Sequence, residues 1–205
     1  KNFSPSLAFI GYESHLELAK PFINAGTPIF IDKPLAIRKK TASEILNHQK
    51  YDGQIFSSSG LAYDPRVIEA KKNLNKIGKI KFLQGSAPGK WENYAIHLID
   101  CFLSILGEEF IFKKFNTTKN NNVVCLNGIL NNNAIIEMKC MGGLASPLRI
   151  TIVGTNGFYD IDFSDPYCAF KNILDIFASN IKNKKIIRSK KEIIHSIGFI
   201  ELGFD

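Results

Sequence analysis

Residues 7–34 spell out a strand, a helix and a second strand in under 30 positions, and nothing else in the sequence constrains the fold as strongly. Residues 7–11 (Leu-Ala-Phe-Ile-Gly) are a short apolar run closed by glycine, as in a parallel strand buried on both faces. Ser14 stands at an expected N-cap, Leu18, Phe22 and Ala25 can share one helical face, and Gly26 is a natural C-terminal stop. Pro28-Ile29-Phe30-Ile31 is a second buried strand, ended by Asp32-Lys33-Pro34. Two strands joined through a helix in this way should be parallel, with a right-handed crossover.

The pattern continues with a helix over 40–48, a strand over 55–58 and a helix over 65–76 that has Pro65 in its first turn and Gly78 beyond its end. A strand over 80–84, a turn-rich loop over 85–90 and a strongly apolar helix over 94–106 follow. Then the rhythm changes. Strands are expected over 112–117, 123–130, 134–140, 148–154 and 157–163, separated by Asn-, Gly- and Ser-rich turns such as Asn120-Asn121-Asn122 and Asn131-Asn132-Asn133. Several of these connections are short enough for hairpins, so this sheet should be mainly antiparallel. Helices over 167–180 and 190–198 close the chain. The fold class expected is α/β. A partial Rossmann-like parallel sheet over 1–59 is followed, over 60–205, by an α+β domain with an open, mainly antiparallel sheet.

Composition narrows the function. The 205 residues are 45% hydrophobic and 22% charged, ordinary for a globular chain. The net charge of +7 is spread thinly, and its densest runs (38–40, 182–185 and 188–191) have no interleaved aromatics, so no nucleic-acid partner is expected. Cys101, Cys125, Cys140 and Cys168 form no CxxC pair and have no histidine at ligand spacing, which argues against a structural metal or a disulfide scaffold. Reduced thiols in a cytoplasmic protein fit better. No apolar stretch reaches the length of a membrane helix, and no signal-peptide pattern opens the chain, which begins at Lys1.

Three stretches, in order, resemble the Gfo/Idh/MocA oxidoreductases. The first is Phe9-Ile10-Gly11-Tyr12-Glu13-Ser14-His15-Leu16, then Ala25-Gly26 and Asp32-Lys33-Pro34-Leu35, where that family has a Thr-Pro-Asn-His-like turn, a helix ending in Ala-Gly, and Glu-Lys-Pro-Leu. The second is Tyr63-Asp64-Pro65 with Ile77-Gly78-Lys79-Ile80. The third is His97-Leu98-Ile99-Asp100 running to Leu106-Gly107, then Ile152-Val153-Gly154-Thr155-Asn156-Gly157. Together they span nearly the whole chain. The resemblance implies about two further βα units before Lys1, because the family's Gly-x-Gly-x-x-Gly is not in this sequence. Asp32, Asn93 and Ala62 replace the family's usual Glu, Asp and Arg.

The resemblance further implies a hydride transfer between NAD or NADP and a hydroxyl of a sugar, sugar nucleotide or cyclitol. Lys33, at the carboxyl end of a parallel strand, would clamp the substrate oxygen and the nicotinamide ribose, with Asp32 and Pro34 beside it. His97 would be the general base, with an imidazole near 6.5 suited to the task, and Asn93 one turn earlier would orient it. Tyr12, Ser14 and His15 would pass near the dinucleotide. Trp91 and Tyr94 could stack on a sugar face or pack between sheet and helix. Read without the family, Lys33 is rather a solvated lysine after a strand and His97 rather a hydrogen-bonded core histidine. The alternative function is a non-catalytic sugar- or protein-binding relative. A one-sided apolar sheet would need cover, so a homo-oligomer is expected.

Overall fold

The computed structural model describes residues 6–8, 11–183 and 185–204. Phe9 and Ile10 of the expected first strand, and Lys184 of the basic run, lie outside them. A three-stranded parallel sheet runs in the order β1 (Ser6–Ala8), β2 (Ile29–Ile31), β3 (Ile55–Phe56). Helix α1 (His15–Ala25) makes the crossover between β1 and β2, and α2 (Lys39–Asn47) the one between β2 and β3. Gly26 ends α1 in the left-handed region at φ 76°, where a side chain would be strained. Ser14 occupies the N-cap position, but its side chain makes no capping bond.

Period-two alternation sorts the strand side chains to two faces. Ile29, Ile31 and Ile55 join Ala19 and Ile23 of α1 and Ile45 of α2 in the main core. Phe30 and Phe56 point the other way, into a second cluster with Ile173 and Phe177 of α6 (Tyr167–Asn183). The Phe30 and Phe56 ring centroids are 5.3 Å apart. Strands β2 and β3 are thus buried on both faces, as their uniformly apolar residues require.

The second sheet has six strands in the order β5-β6-β7-β4-β8-β9. They are β4 (Ile80–Ala87), β5 (Phe112–Asn120), β6 (Val123–Leu130), β7 (Ile135–Cys140), β8 (Arg149–Gly154) and β9 (Phe158–Asp162). Every pairing is antiparallel except that of β4 with β7. Inward residues such as Leu83, Leu126, Ile136, Met138, Ile150 and Ile152 are fully buried. They pack with α5 (Trp91–Leu106) and α7 (Lys190–Leu202). The opposite face carries Ile135 and Phe158, which are 52% and 67% exposed. Ser189 caps α7 in a reciprocal box with Glu192.

Two local expectations change. The strand expected to stop at Gln84 runs on to Ala87, through positions read as loop. Gly85 makes this possible: a Cβ there would stand 3.1 Å from Leu98 Cδ2, so the bare backbone lets α5 settle onto β4. The helix over 65–76 breaks into α3 (Pro65–Lys72) and α4 (Leu74–Ile77) at Asn73, whose φ of −112° leaves the helix. Its side-chain amide donates to the Glu69 carbonyl at 3.0 Å, the local bonding by which Asn competes with helix continuation.

Candidate functional site

The carboxyl ends of the three parallel strands meet the flank of α5. Tyr12–Ser14 form one turn of 3-10 helix after β1, Asp32-Lys33-Pro34 follow β2, and residues 57–59 follow β3. Open α/β sheets present their ligand crevice at this edge. The Lys33–Pro34 peptide is cis. Pro34, Leu35 and Ala36 are buried, while Asp32 and Lys33 remain partly exposed.

His15 is buried, and its Nδ1 lies 3.0 Å from the Leu35 carbonyl oxygen. This places it beneath the Lys33–Pro34 turn as a support. Ser14 is exposed, and Tyr12 is partly exposed. The Tyr12 phenol is pushed up by burial first, then by Glu13 and by the charge of Glu92.

His97 is a partly exposed residue on α5. Burial of its ring, and then the nearby Lys33 ammonium, push its pKa down to about 3. Lys33 and His97, far apart in sequence, therefore come within electrostatic reach of each other. Among the described residues no carboxylate pairs with Lys33. The low value departs from the expected ring titrating near neutrality: partial burial withdraws water from the imidazole, and the Lys33 charge acts in the same direction. At neutral pH such a ring is uncharged but weakly basic.

The consequence for stability has a definite sign. The folded ring stays neutral down to about 3, whereas the unfolded ring takes a proton near 6.5. This group's contribution is therefore complete above 6.5 and is lost as pH falls toward 3, by at most about 1.4 kcal/mol per pH unit. Denaturant unfolding followed from about pH 7 to about pH 4 should show a flatter stability profile for His97→Gln than for the wild type. Identical profiles would mean that the imidazole is not desolvated.

The residue bonded to the His97 ring is not Asn93, which is exposed on the first turn of α5. It is Ser59, whose Oγ lies 2.7 Å from His97 Nδ1. Tyr94 packs against the ring edge-on, with centroids 5.5 Å apart. Trp91 belongs to the core, where its indole N–H donates to the Ile200 carbonyl at 2.9 Å, so it offers no stacking face.

Behind Ser59 lies a buried charged network. Asp100 Oδ2 accepts the Ser59 backbone N–H at 2.7 Å and the Ser58 hydroxyl at 3.2 Å. The Arg188 guanidinium donates to both Asp100 carboxylate oxygens, at 2.8 and 2.6 Å, and also to the Ser57 carbonyl and the Ser196 hydroxyl. Burial opposes the Arg188 charge, but Asp100 outweighs it and holds the guanidinium above its ordinary pKa. A cleft of about 650 Å³ continues along α5 past this pair, lined by Tyr63, Leu103 and His195 among others. Ser59, Asp100 and Arg188 were not singled out from the sequence. An acidic residue inside an apolar helix was the one available signal, and it did not name a partner.

No family model matches the chain, and no curated protein does. Solved structures do match. An apo scyllo-inositol dehydrogenase from Lactobacillus casei superposes with a TM-score of 0.80 at 15% identity, covering 97% of this chain and 75% of that one. A myo-inositol dehydrogenase from Corynebacterium glutamicum gives 0.72 at 12% identity, covering 96% and 75%. GenD2 from gentamicin A biosynthesis, in complex with NAD, gives 0.79 at 10% identity, covering 98% and 75%. The chain has the α/β fold of these dehydrogenases over nearly its whole length.

Proposed function

We propose that this protein is an oxidoreductase that exchanges a hydride between a nicotinamide cofactor, NAD or NADP, and a hydroxyl-bearing carbon of a sugar, sugar nucleotide or cyclitol. The observation that carries the reading is that Lys33 follows β2 while His97 is bonded to Ser59 after β3, so that both belong to the carboxyl edge of the parallel strands, where the lysine charge acts on the ring. A cation that has no carboxylate partner among the described residues, and whose charge reaches an uncharged imidazole, suits an oxygen whose charge changes during reaction. The likeness of fold to inositol dehydrogenases supports the same reading.

The residues present fit the nicotinamide end of such a cofactor. Asp32 and Lys33 are partly exposed at the strand end where its ribose would lie, and Tyr12 and Ser14 occupy the neighbouring turn. The pyrophosphate would need a cradle that this sequence does not contain. When bound, the nicotinamide supplies the hydride acceptor or donor. The chain's part is to hold the reacting oxygen at Lys33 and His97, with His15 supporting the turn that presents Lys33.

The test is a fluorescence titration with reduced NAD and reduced NADP, followed by turnover assays on a panel of cyclitols and sugars. Saturable binding with turnover of one class is expected. No binding of either nucleotide at millimolar concentration would remove the reading.

A further inference from the structure

The hydrogen bonds around Ser59 bear on the proton position of His97. Ser59 is fully buried. A serine hydroxyl has one proton to give and two lone pairs to receive. One lone pair accepts the Leu61 backbone N–H at 3.2 Å, the bond that starts the 3-10 turn of residues 60–63. The other contact of this oxygen is His97 Nδ1 at 2.7 Å. Among the described residues no further group bonds the Ser59 hydroxyl.

Two arrangements of the 2.7 Å contact are conceivable. If Nδ1 carried the ring proton, the Ser59 oxygen would accept from both the ring and Leu61, and its own proton would have no acceptor in a site closed to water. Buried donors of that kind are rare because nothing replaces the water they lost. If instead the Ser59 hydroxyl donates to an unprotonated Nδ1, the buried serine is satisfied, and the other ring nitrogen belongs to a residue that is partly exposed. The proton of the neutral ring then sits on Nε2, since the bond at one nitrogen decides the state of the other.

We propose that Ser59 is a positioning residue that fixes His97 as the Nε2–H tautomer, so that the ring meets the substrate oxygen as a hydrogen-bond donor. Ser59 is itself fixed, because its backbone N–H is held by the Asp100 carboxylate, which Arg188 grips from the other side. The network reaching from α7 to the parallel strands therefore sets the ring's proton.

The chemical consequence rests on the hydride-exchange reading above; the tautomer does not. On that reading Lys33 and His97 would present two donors to one oxygen. Such a pair favours a carbonyl oxygen, or the alkoxide it becomes, over a hydroxyl that must give its proton to this ring. The general-base role expected of His97 from the family resemblance gives way to that of a neutral electrophile. The substrate state that this site holds best is the ketone or aldehyde.

The tautomer is measurable without cofactor or substrate. The protein is labelled with nitrogen-15 histidine, and long-range proton–nitrogen correlation spectra are recorded near neutral pH. The His97 signals are assigned by their loss in His97→Gln. An unprotonated Nδ1 and a protonated Nε2 are expected in the wild type, a mixture of tautomers in Ser59→Ala, and the wild-type pattern again in Ser59→Thr. A proton on Nδ1 in the wild type would overturn the proposal, as would a Ser59→Ala spectrum with the wild-type pattern. Should Ser59→Ala fail to fold, the wild-type spectrum decides alone. Because no nicotinamide is present, failure of the cofactor reading leaves this result untouched.

Discussion

Replacing Arg188 with methionine is expected to lower the free energy of unfolding by about 3–5 kcal/mol, read as a shift of the urea midpoint. The guanidinium is only 8% exposed and makes four hydrogen bonds, two of them to Asp100. Removing it leaves a buried carboxylate with no countercharge, held only by the Ser58 hydroxyl and the Ser59 N–H. The loss is large against the roughly 5–15 kcal/mol that separates most native domains from their unfolded state. The double variant Arg188→Met with Asp100→Leu should recover much of it, because no orphaned charge remains. A single variant within about 0.5 kcal/mol of the wild type, the range of surface substitutions away from such features, would mean that water reaches the pair. Exposed pairs such as Lys171–Asp175 do not behave this way, since solvent already stabilises each partner.

If the protein carries out the proposed hydride exchange, Lys33→Met should leave folding nearly intact and cost that reaction heavily. The lysine is partly exposed, and no described carboxylate pairs with it. Among the described residues its ammonium is the one positive charge that acts on the His97 ring. Loss of a donor aimed at developing negative charge lowers kcat by about 10²–10³, or about 2.7–4 kcal/mol. A decrease of that size in kcat/KM is expected for the exchange reaction. The variant should also raise the His97 pKa, because the repelling cation is gone, and a histidine titration by NMR reports this independently of turnover. An unchanged imidazole titration together with unchanged kcat/KM would separate Lys33 from the site altogether.

Much of the architecture was legible in the sequence, and for local reasons. Short apolar runs interrupted by Gly26 and Pro34 specify strand, helix and strand within one window, and that unit admits one handedness. The Asn-rich segments were legible too: Asn121 and Asn133 take positive φ values of 53° and 65° in hairpin turns, a conformation Asn tolerates better than most residues. The misplaced end of β4 has a different origin. Gly85 reads as a turn residue in its own neighbourhood, and only Leu98 pressing on it from α5 shows why it lies in a strand.

The candidate site divides along the same line. The amino-acid order alone determined that a lysine follows a buried parallel strand and that a histidine lies on an apolar helix, because the periods of strands and helices are written within a few residues. Tertiary packing decided what those two groups meet. Asn93, one turn from His97 along the helix, faces solvent, while Ser59, in a different element, reaches the ring. Arg188 finds Asp100 across 88 positions of chain. No local period encodes such a pairing. It arises when buried apolar surfaces bring α5, α7 and the strand ends together, and each polar group shut away from water must then find a partner among whatever packing has placed beside it.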